Sequence, residues 1–148
     1  MQLRRWTLLS VVTCLPMLVA GCAGVGSPDP REGDSVATAA AFFHRVERGD
    51  GDAARGLVVG SAPEQTDDDA AVRFYADHFS FPEGDCDLAD DWKSSQHRSS
   101  EMTIPAGVVG AEPGDAVDSV TLRLECDGRA ATVDIAVVPD RAMVLVNG

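Results

Sequence analysis

The chain has 148 residues, of which 45% are hydrophobic, so it has the length of one domain and the composition of a packed core. Its 24 acidic and 12 basic residues give a formal net charge of −12. Binding to a phosphate backbone requires clustered Lys and Arg, so this charge balance argues against nucleic acid as a partner.

The chain opens with the charge and hydropathy pattern of a secretory signal. Residues 1–5 include two arginines, and residues 7–20 are mostly apolar. A membrane-spanning helix needs about 20 apolar residues, whereas this run is shorter and contains Pro16. We therefore predict an exported chain from which this segment is removed, rather than a permanent membrane span.

The apolar run ends at LVAGC, residues 18–22, where two small residues directly precede Cys22. This stretch resembles the lipobox of bacterial lipoproteins. The resemblance implies that residues 1–21 are a signal peptide cleaved after Gly21, and that Cys22 receives a diacylglyceryl group and further acylation. Since two or more lipid chains anchor a protein stably, the implied location is the cell membrane, on its extracytoplasmic face. An ordinary secretory signal with an incidental cysteine is the alternative.

The four cysteines are Cys14, Cys22, Cys86 and Cys126. Cys14 leaves with the signal peptide, and the lipobox resemblance makes Cys22 a thioether. The remaining two are expected to form a disulfide, because an exported protein folds outside the reducing cytoplasm. A catalytic thiol is the competing interpretation, although neither Cys86 nor Cys126 has a Cys-x-x-Cys partner.

Residues 23–33 contain three glycines and two prolines and lack an apolar period. We therefore predict that residues 22–33 are the lipidated cysteine and a flexible tether, and that residues 34–148 form the globular domain.

Three helices are predicted at the start of this domain. Asp34 or Ser35 caps the first, whose apolar residues recur at spacings of three and four until Gly49. Asp52 is expected to cap a short second helix that ends at Gly60 and Pro63. A third follows Thr66, with acids in its first turn that favour the helix dipole. Its predicted apolar face is Ala71, Phe74, Tyr75 and His78 or Phe79.

Strands are predicted after residue 82, where turn residues precede a change of period. Residues 92–104 are expected to hold a polar strand, and residues 108–111 a short edge strand. Strict alternation over residues 120–126 and 133–137 predicts two strands joined by the Asp127-Gly128 turn, before a last strand at residues 143–146. The fold class is therefore α+β, with the helices packed on one face of an antiparallel sheet.

The order of these elements, together with one local pattern, resembles the NTF2-like family. The resemblance implies a curved sheet that wraps a long helix into a cone, and a cystatin-like arrangement of one helix on a meander is the nearest competitor. The pattern is loose and consists of Phe43, Gly49, Asp50, Asp52, Ala53 and Leu57.

NTF2-like enzymes place a histidine and a carboxylate at the mouth of the cone. General acid or base catalysis needs such a group within hydrogen-bond reach of substrate. No family dyad can be carried over, because the flanking pattern is missing, so no catalytic residue is assigned and each histidine is expected on the surface or satisfied in the core. The candidates considered are His44, His78 and His97 with Asp50, Asp77, Asp118 or Asp134.

Acid-rich stretches at residues 49–52, 67–69 and 84–91 are the candidates for a calcium site. Their spacing departs from the EF-hand pattern, so caps and turns are expected instead of a metal. Nucleophile and phosphate-loop motifs are also missing from the sequence, and no cofactor is predicted. The few aromatic residues are expected to fill the core, or to line an apolar pocket if the cone is open.

These features favour a non-enzymatic binding or interaction domain at the cell envelope, with an apolar small molecule or another envelope protein as partner. An NTF2-like isomerase or hydrolase that uses a His/Asp pair is the alternative, and a structural domain without a ligand is a third. A deep cavity containing His78 or Asp134 would favour the enzyme. A filled cone with an exposed apolar patch would favour a protein partner.

Overall fold

The computed structural model describes residues 27–60 and 67–146. The predicted signal peptide, the LVAGC stretch and Cys22 lie outside these described residues. Within them, helices and strands follow one another in this order: α1 (Ser35–Glu47), α2 (Gly51–Arg55), β1 (Val58–Gly60), α3 (Asp68–His78), β2 (Cys86–Leu88), β3 (Gln96–Thr103), β4 (Ala116–Cys126), β5 (Arg129–Val138) and β6 (Met143–Val146).

The longest helix, α1, begins as predicted. The Asp34 carboxylate accepts a hydrogen bond from the backbone N–H of Ala37 at 2.9 Å, which satisfies one of the free donors of the first turn. Nine of its 13 residues are buried, including both Phe42 and Phe43. Adjacent helical residues point in directions about 100° apart, so this helix is covered on more than one side.

The second helix differs from the prediction at both ends. Asp50, not Asp52, caps it, since its carboxylate accepts from the Ala53 N–H at 3.0 Å. Asp52 lies in the first turn and forms an ion pair with Arg55. The helix ends at Arg55, and the residues expected to continue it form strand β1 instead. A strand is favoured there because β6 offers an open edge for parallel pairing with Val58–Gly60.

The third helix begins after its cap Asp67, with two acids in the first turn. Ala71 and Tyr75 are buried as predicted. Phe74, in contrast, is 36% exposed, and the neighbouring His78 is also exposed. The buried stripe of this short helix is therefore narrower than the sequence pattern indicated.

The sheet has the order β1-β6-β5-β4-β2, and β3 pairs with the same edge of β4 as β2 does. The predicted hairpin of β4 and β5 is confirmed, with its turn at Asp127 and Gly128. The polar strand expected within residues 92–104 is β3. The sheet is not wholly antiparallel, however, because β1 and β6 run parallel. The α+β class is confirmed, with three helices packed on an open six-stranded sheet.

The strand predicted at residues 108–111 is wrong, because these residues form part of a loop that covers the outer face of the sheet. Loop ends Ile104 and Asp115 are joined by a 2.9 Å backbone hydrogen bond. Ile104 is buried there in a second apolar cluster. Arg141 pairs with Asp115 and with Glu112, and its hydrogen bond lowers the pKa of Asp115. The other members of that cluster are Val59, Val117, Val138 and Leu145.

Strand β2 was not predicted, since it is three residues long and lies in a turn-rich stretch. Its first residue, Cys86, is in register with Cys126 at the end of β4. The two sulfur atoms are 2.17 Å apart, so the pair is compatible with the expected disulfide. Both cysteines are buried. The bond joins the unpredicted strand to the predicted hairpin.

Asp118, one of the aspartates considered for catalysis, is a buried carboxylate on β4. It accepts a hydrogen bond of 2.5 Å from the hydroxyl of Ser35, which is also buried. Ser35 is the first residue of α1, where the partial positive charge of the helix dipole also favours a carboxylate. This contact fixes the start of α1 on the sheet.

Ser35→Ala is expected to lower the free energy of unfolding by about 1–3 kcal/mol, because it leaves a buried carboxylate without its hydroxyl donor. Urea denaturation measures the change. Ser99→Ala is the matched control, since Ser99 lies opposite Asp118 on β3 but is exposed. Equal effects from the two variants would contradict a role for the Ser35 hydroxyl.

Removal of the Cys86–Cys126 bond is expected to destabilise the domain by up to about 4 kcal/mol, the chain-entropy figure for a closed loop of this length. The two cysteines are 40 residues apart. Thermal unfolding of the protein with and without reductant measures the loss, and intact mass before and after reduction reports the gain of two hydrogen atoms. Two free thiols in the unreduced, denatured protein would exclude the disulfide.

Candidate functional site

A polar groove of about 520 Å³ lies at the C-terminal end of α1. One side is formed by His44 and Arg48 of the helix, and the other by β2 and the turn between β4 and β5. The chain segment that precedes α1 reaches the groove through Pro28. We call this feature the acidic groove, and its lining residues are Pro28, His44, Arg48, Asp85, Asp87, Leu88, Ala89, Asp90, Glu125, Asp127 and Gly128.

The groove wall opposite α1 is held by backbone contacts around the disulfide. The N–H of Asp127 donates to the carbonyl of Asp85 at 3.0 Å. The Asp127 carboxylate lies against Gly84, where a Cβ atom would come within 2.3 Å of one of its oxygens. A side chain at residue 84 therefore cannot be accommodated without movement of Asp127, and the tight turn before β2 depends on this glycine.

Like charges face each other across this wall. Asp87 of β2 is in register with Glu125 of β4, and both side chains are exposed. Directly opposed like charges on neighbouring strands cost about 0.2–1 kcal/mol. The adjacent Cys86–Cys126 pair holds the two strands together in spite of this repulsion. The acidic side chains of the groove therefore destabilise the pairing of β2 with β4.

The charges of the groove act on two side chains of α1. Burial raises the pKa of Glu47, and the negative charges of Asp85 and Asp87 raise it further. Burial lowers the pKa of His44 below 6.5, and Arg48 adds to this effect while Asp87 opposes it. The Nε2 atom of His44 lies 3.4 Å from the Ser27 hydroxyl.

The structure separates the other candidates for acid–base chemistry from this groove. His78 is exposed on α3, with its ring stacked on Phe74 at a centroid distance of 6.0 Å. His97 is exposed on β3. Neither histidine lies at the base of an apolar cavity. Among the described residues, the histidine that lies beside carboxylates in a groove is His44.

The candidate aspartates have structural partners or are exposed. Asp50 caps α2, and the buried Asp118 is bonded to Ser35. Asp134 accepts a 2.6 Å hydrogen bond from the Thr121 hydroxyl on the exposed face of the hairpin. Asp77 is exposed near the end of α3. None of these four lines the acidic groove.

The acid-rich stretches do not converge on a point. Within residues 27–60 and 67–146, no group of three or more His, Cys, Asp or Glu side chains is arranged to hold a metal ion. Asp50 and Asp67 serve as helix caps, as expected for acids that precede helices. Several residues of 84–91 instead line the acidic groove. The sequence predicted only turns in this stretch, so it did not predict the groove.

The aromatic side chains fill the space between the helices and the sheet. Phe42 packs edge-to-face against Tyr75 and Phe79, with centroids 5.3 and 5.5 Å apart. Phe43 contacts Phe81, and Trp92 is buried in the same core. The interior beside α1 is thus occupied by side chains of the chain itself.

Comparison of the chain with protein-family models, with curated proteins and with solved structures finds no match. The function is therefore argued from the residues and geometry described above. None of the helices in the described ranges has the length and apolar character that crossing a bilayer requires.

Glu47→Gln is expected to raise the melting temperature at pH 7, and the gain should vanish on acidification. The raised pKa means that the folded state disfavours the charged form of Glu47, so its penalty exists above the ordinary value of 4.5 and disappears below it. Thermal unfolding at pH 7 measures the gain in melting temperature, and thermal unfolding at about pH 4 measures its loss. Glu101→Gln, on exposed β3, is the matched control. A loss of stability at pH 7 would contradict the electrostatic interpretation.

Proposed function

We propose that this protein is an exported bacterial lipoprotein, anchored through Cys22, whose domain binds a partner at the cell envelope without catalysis. The observation that supports this proposal most directly is the LVAGC stretch, which follows a basic start and an apolar run of signal-peptide length. The paired positions of Cys86 and Cys126 support this proposal, because disulfides persist in oxidising compartments outside the cytoplasm.

The packing supports a partner at the surface more than an apolar ligand inside. Phe42 and Tyr75 are fully buried and in mutual contact, and the inward residues of β4 pack against α1. The acidic groove is polar and open, unlike the mainly apolar pockets that enclose small hydrophobic molecules. Another protein of the envelope is accordingly the partner that we favour.

An NTF2-like cone is the finer fold that we propose. Three helices precede the β3–β4–β5–β6 meander, and α1 contacts the sheet through β4 and β5. The presence of three helices favours this arrangement over a cystatin-like one, which has a single helix on its meander.

The alternative, an NTF2-like isomerase or hydrolase, would have to use His44 with Asp87. Those two residues lie in an open, water-accessible groove, whereas a His/Asp pair tuned for acid–base work is expected in an apolar cavity. The geometry therefore favours the non-enzymatic proposal.

Cys22→Ala is expected to carry no lipid, because the thiol that accepts it is lost. The variant should therefore leave the membrane fraction for the soluble fraction, or accumulate as an uncleaved precursor. Fractionation of cells that express the full-length chain measures this, and the intact mass of detergent-extracted protein checks for acyl groups. Cys14→Ala is the matched control, since Cys14 lies in the apolar run and is removed with it. If wild-type protein has an unmodified N-terminus and Cys22→Ala remains on the membrane, the anchoring proposal fails.

A further inference from the structure

The segment that precedes α1 lies along that helix. The Ser27 hydroxyl is 3.4 Å from His44 Nε2, close to the C-terminal end of the helix. The hydroxyl of Thr38 donates to the carbonyl of Arg31, near the helix start. At the end of the segment, the N–H of Gly33 donates to the carbonyl of Pro139 at 3.0 Å. Residues 27–33 therefore run antiparallel to α1.

This path decides where the preceding chain leaves the domain. Ser27 lies at the end of the molecule that carries the acidic groove, next to Pro28 in its lining. The start of α1, the beginning of β4 and the turn between β5 and β6 lie at the opposite end. From Asp118 to Glu125, seven residues of strand β4 separate the two ends by about 23 Å.

The remaining chain between the domain and the lipid is short. Cys22 precedes Ser27 by five residues, which span at most about 18 Å when fully extended. This reach is less than the distance between the two ends of β4. The opposite end cannot face the bilayer unless residues 27–33 detach from α1.

We infer that the anchored domain sits with its acidic groove toward the lipid headgroups and with the turn between β5 and β6 pointing away from the membrane. This inference rests on the proposed anchoring through Cys22. The surface that it assigns to the membrane side carries six carboxylates and is repelled by anionic headgroups within a Debye length, about 10 Å at 0.1 M salt. These carboxylates are Glu47, Asp85, Asp87, Asp90, Glu125 and Asp127.

The test measures the height of two labels above the bilayer. Single cysteines replace Ala130, which pairs with Glu125 of the acidic groove, or Asp140 in the turn between β5 and β6, and both positions are exposed. Each variant of the full-length chain is expressed with export, purified from membranes, labelled with a donor dye and reconstituted into phosphatidylcholine vesicles that carry a headgroup acceptor. Unsubstituted protein controls for labelling of the natural cysteines.

The Ala130→Cys label is expected to show at least about twofold more energy transfer than the Asp140→Cys label. Ala130 and Val137 are seven residues apart on β5, about 23 Å, and Asp140 lies beyond Val137. Equal transfer from the two labels, or greater transfer from Asp140→Cys, would overturn the inferred orientation. Protein that carries no lipid and does not float with vesicles would instead refute the anchoring, and the orientation would fall with it.

A charge-neutralised variant tests the same orientation independently. Asp87→Asn with Glu125→Gln removes two charges beside the groove, and Glu101→Gln with Asp140→Asn removes two charges at the far end as a matched control. On phosphatidylglycerol vesicles at low salt, the first pair is expected to increase transfer from the Ala130→Cys label and the second to leave it unchanged. The reverse order would place the far end next to the membrane.

Discussion

The rest of the domain depends on the burial of α1 on more than one side. Phe42 and Phe43 are consecutive, so the two rings leave the helix in different directions and cannot both be covered by one surface. Phe42 meets rings from α3 and the turn after it, and the sheet packs against the same helix. Two aromatic side chains in a row therefore require both the sheet and α3, and they make α1 the centre of the molecule.

The two ends of α1 organise the polar features in different ways. At its start, a buried carboxylate on β4 is satisfied by Ser35 and the helix dipole, so charge and fold agree. At its end, Glu47 faces further carboxylates on the neighbouring chain segments and its pKa is raised. The disulfide holds β2 in place where the side-chain charges would separate it from β4. One end is stabilised by its electrostatics, and the other is held by a covalent bond.

Sequence patterns predicted what depends on local periodicity. The helix at residues 35–47 and the alternating hairpin are confirmed because each buries one repeated face over many residues. Strands β1 and β2 were missed because each has three residues, and pairing with β6 or β4 forms them rather than any period of their own. The outer loop was mistaken for a strand because its apolar residues pack on a distant cluster. In the three elements that the sequence did not predict correctly, β1, β2 and the outer loop, contacts with residues distant in the sequence determine the structure.

The acidic groove illustrates the same limit for a functional site. His44 and residues 84–91 were each noted in the sequence, but about 40 positions separate them and no local pattern joins them. Their meeting follows from the register of Cys86 with Cys126 and from the position of the end of α1. Asp87 and Glu125 are exposed and opposed, so the fold gains no stability from their charge. The contribution of these carboxylates is instead the negative potential of the surface that lies next to the point where the chain leaves the domain toward Cys22.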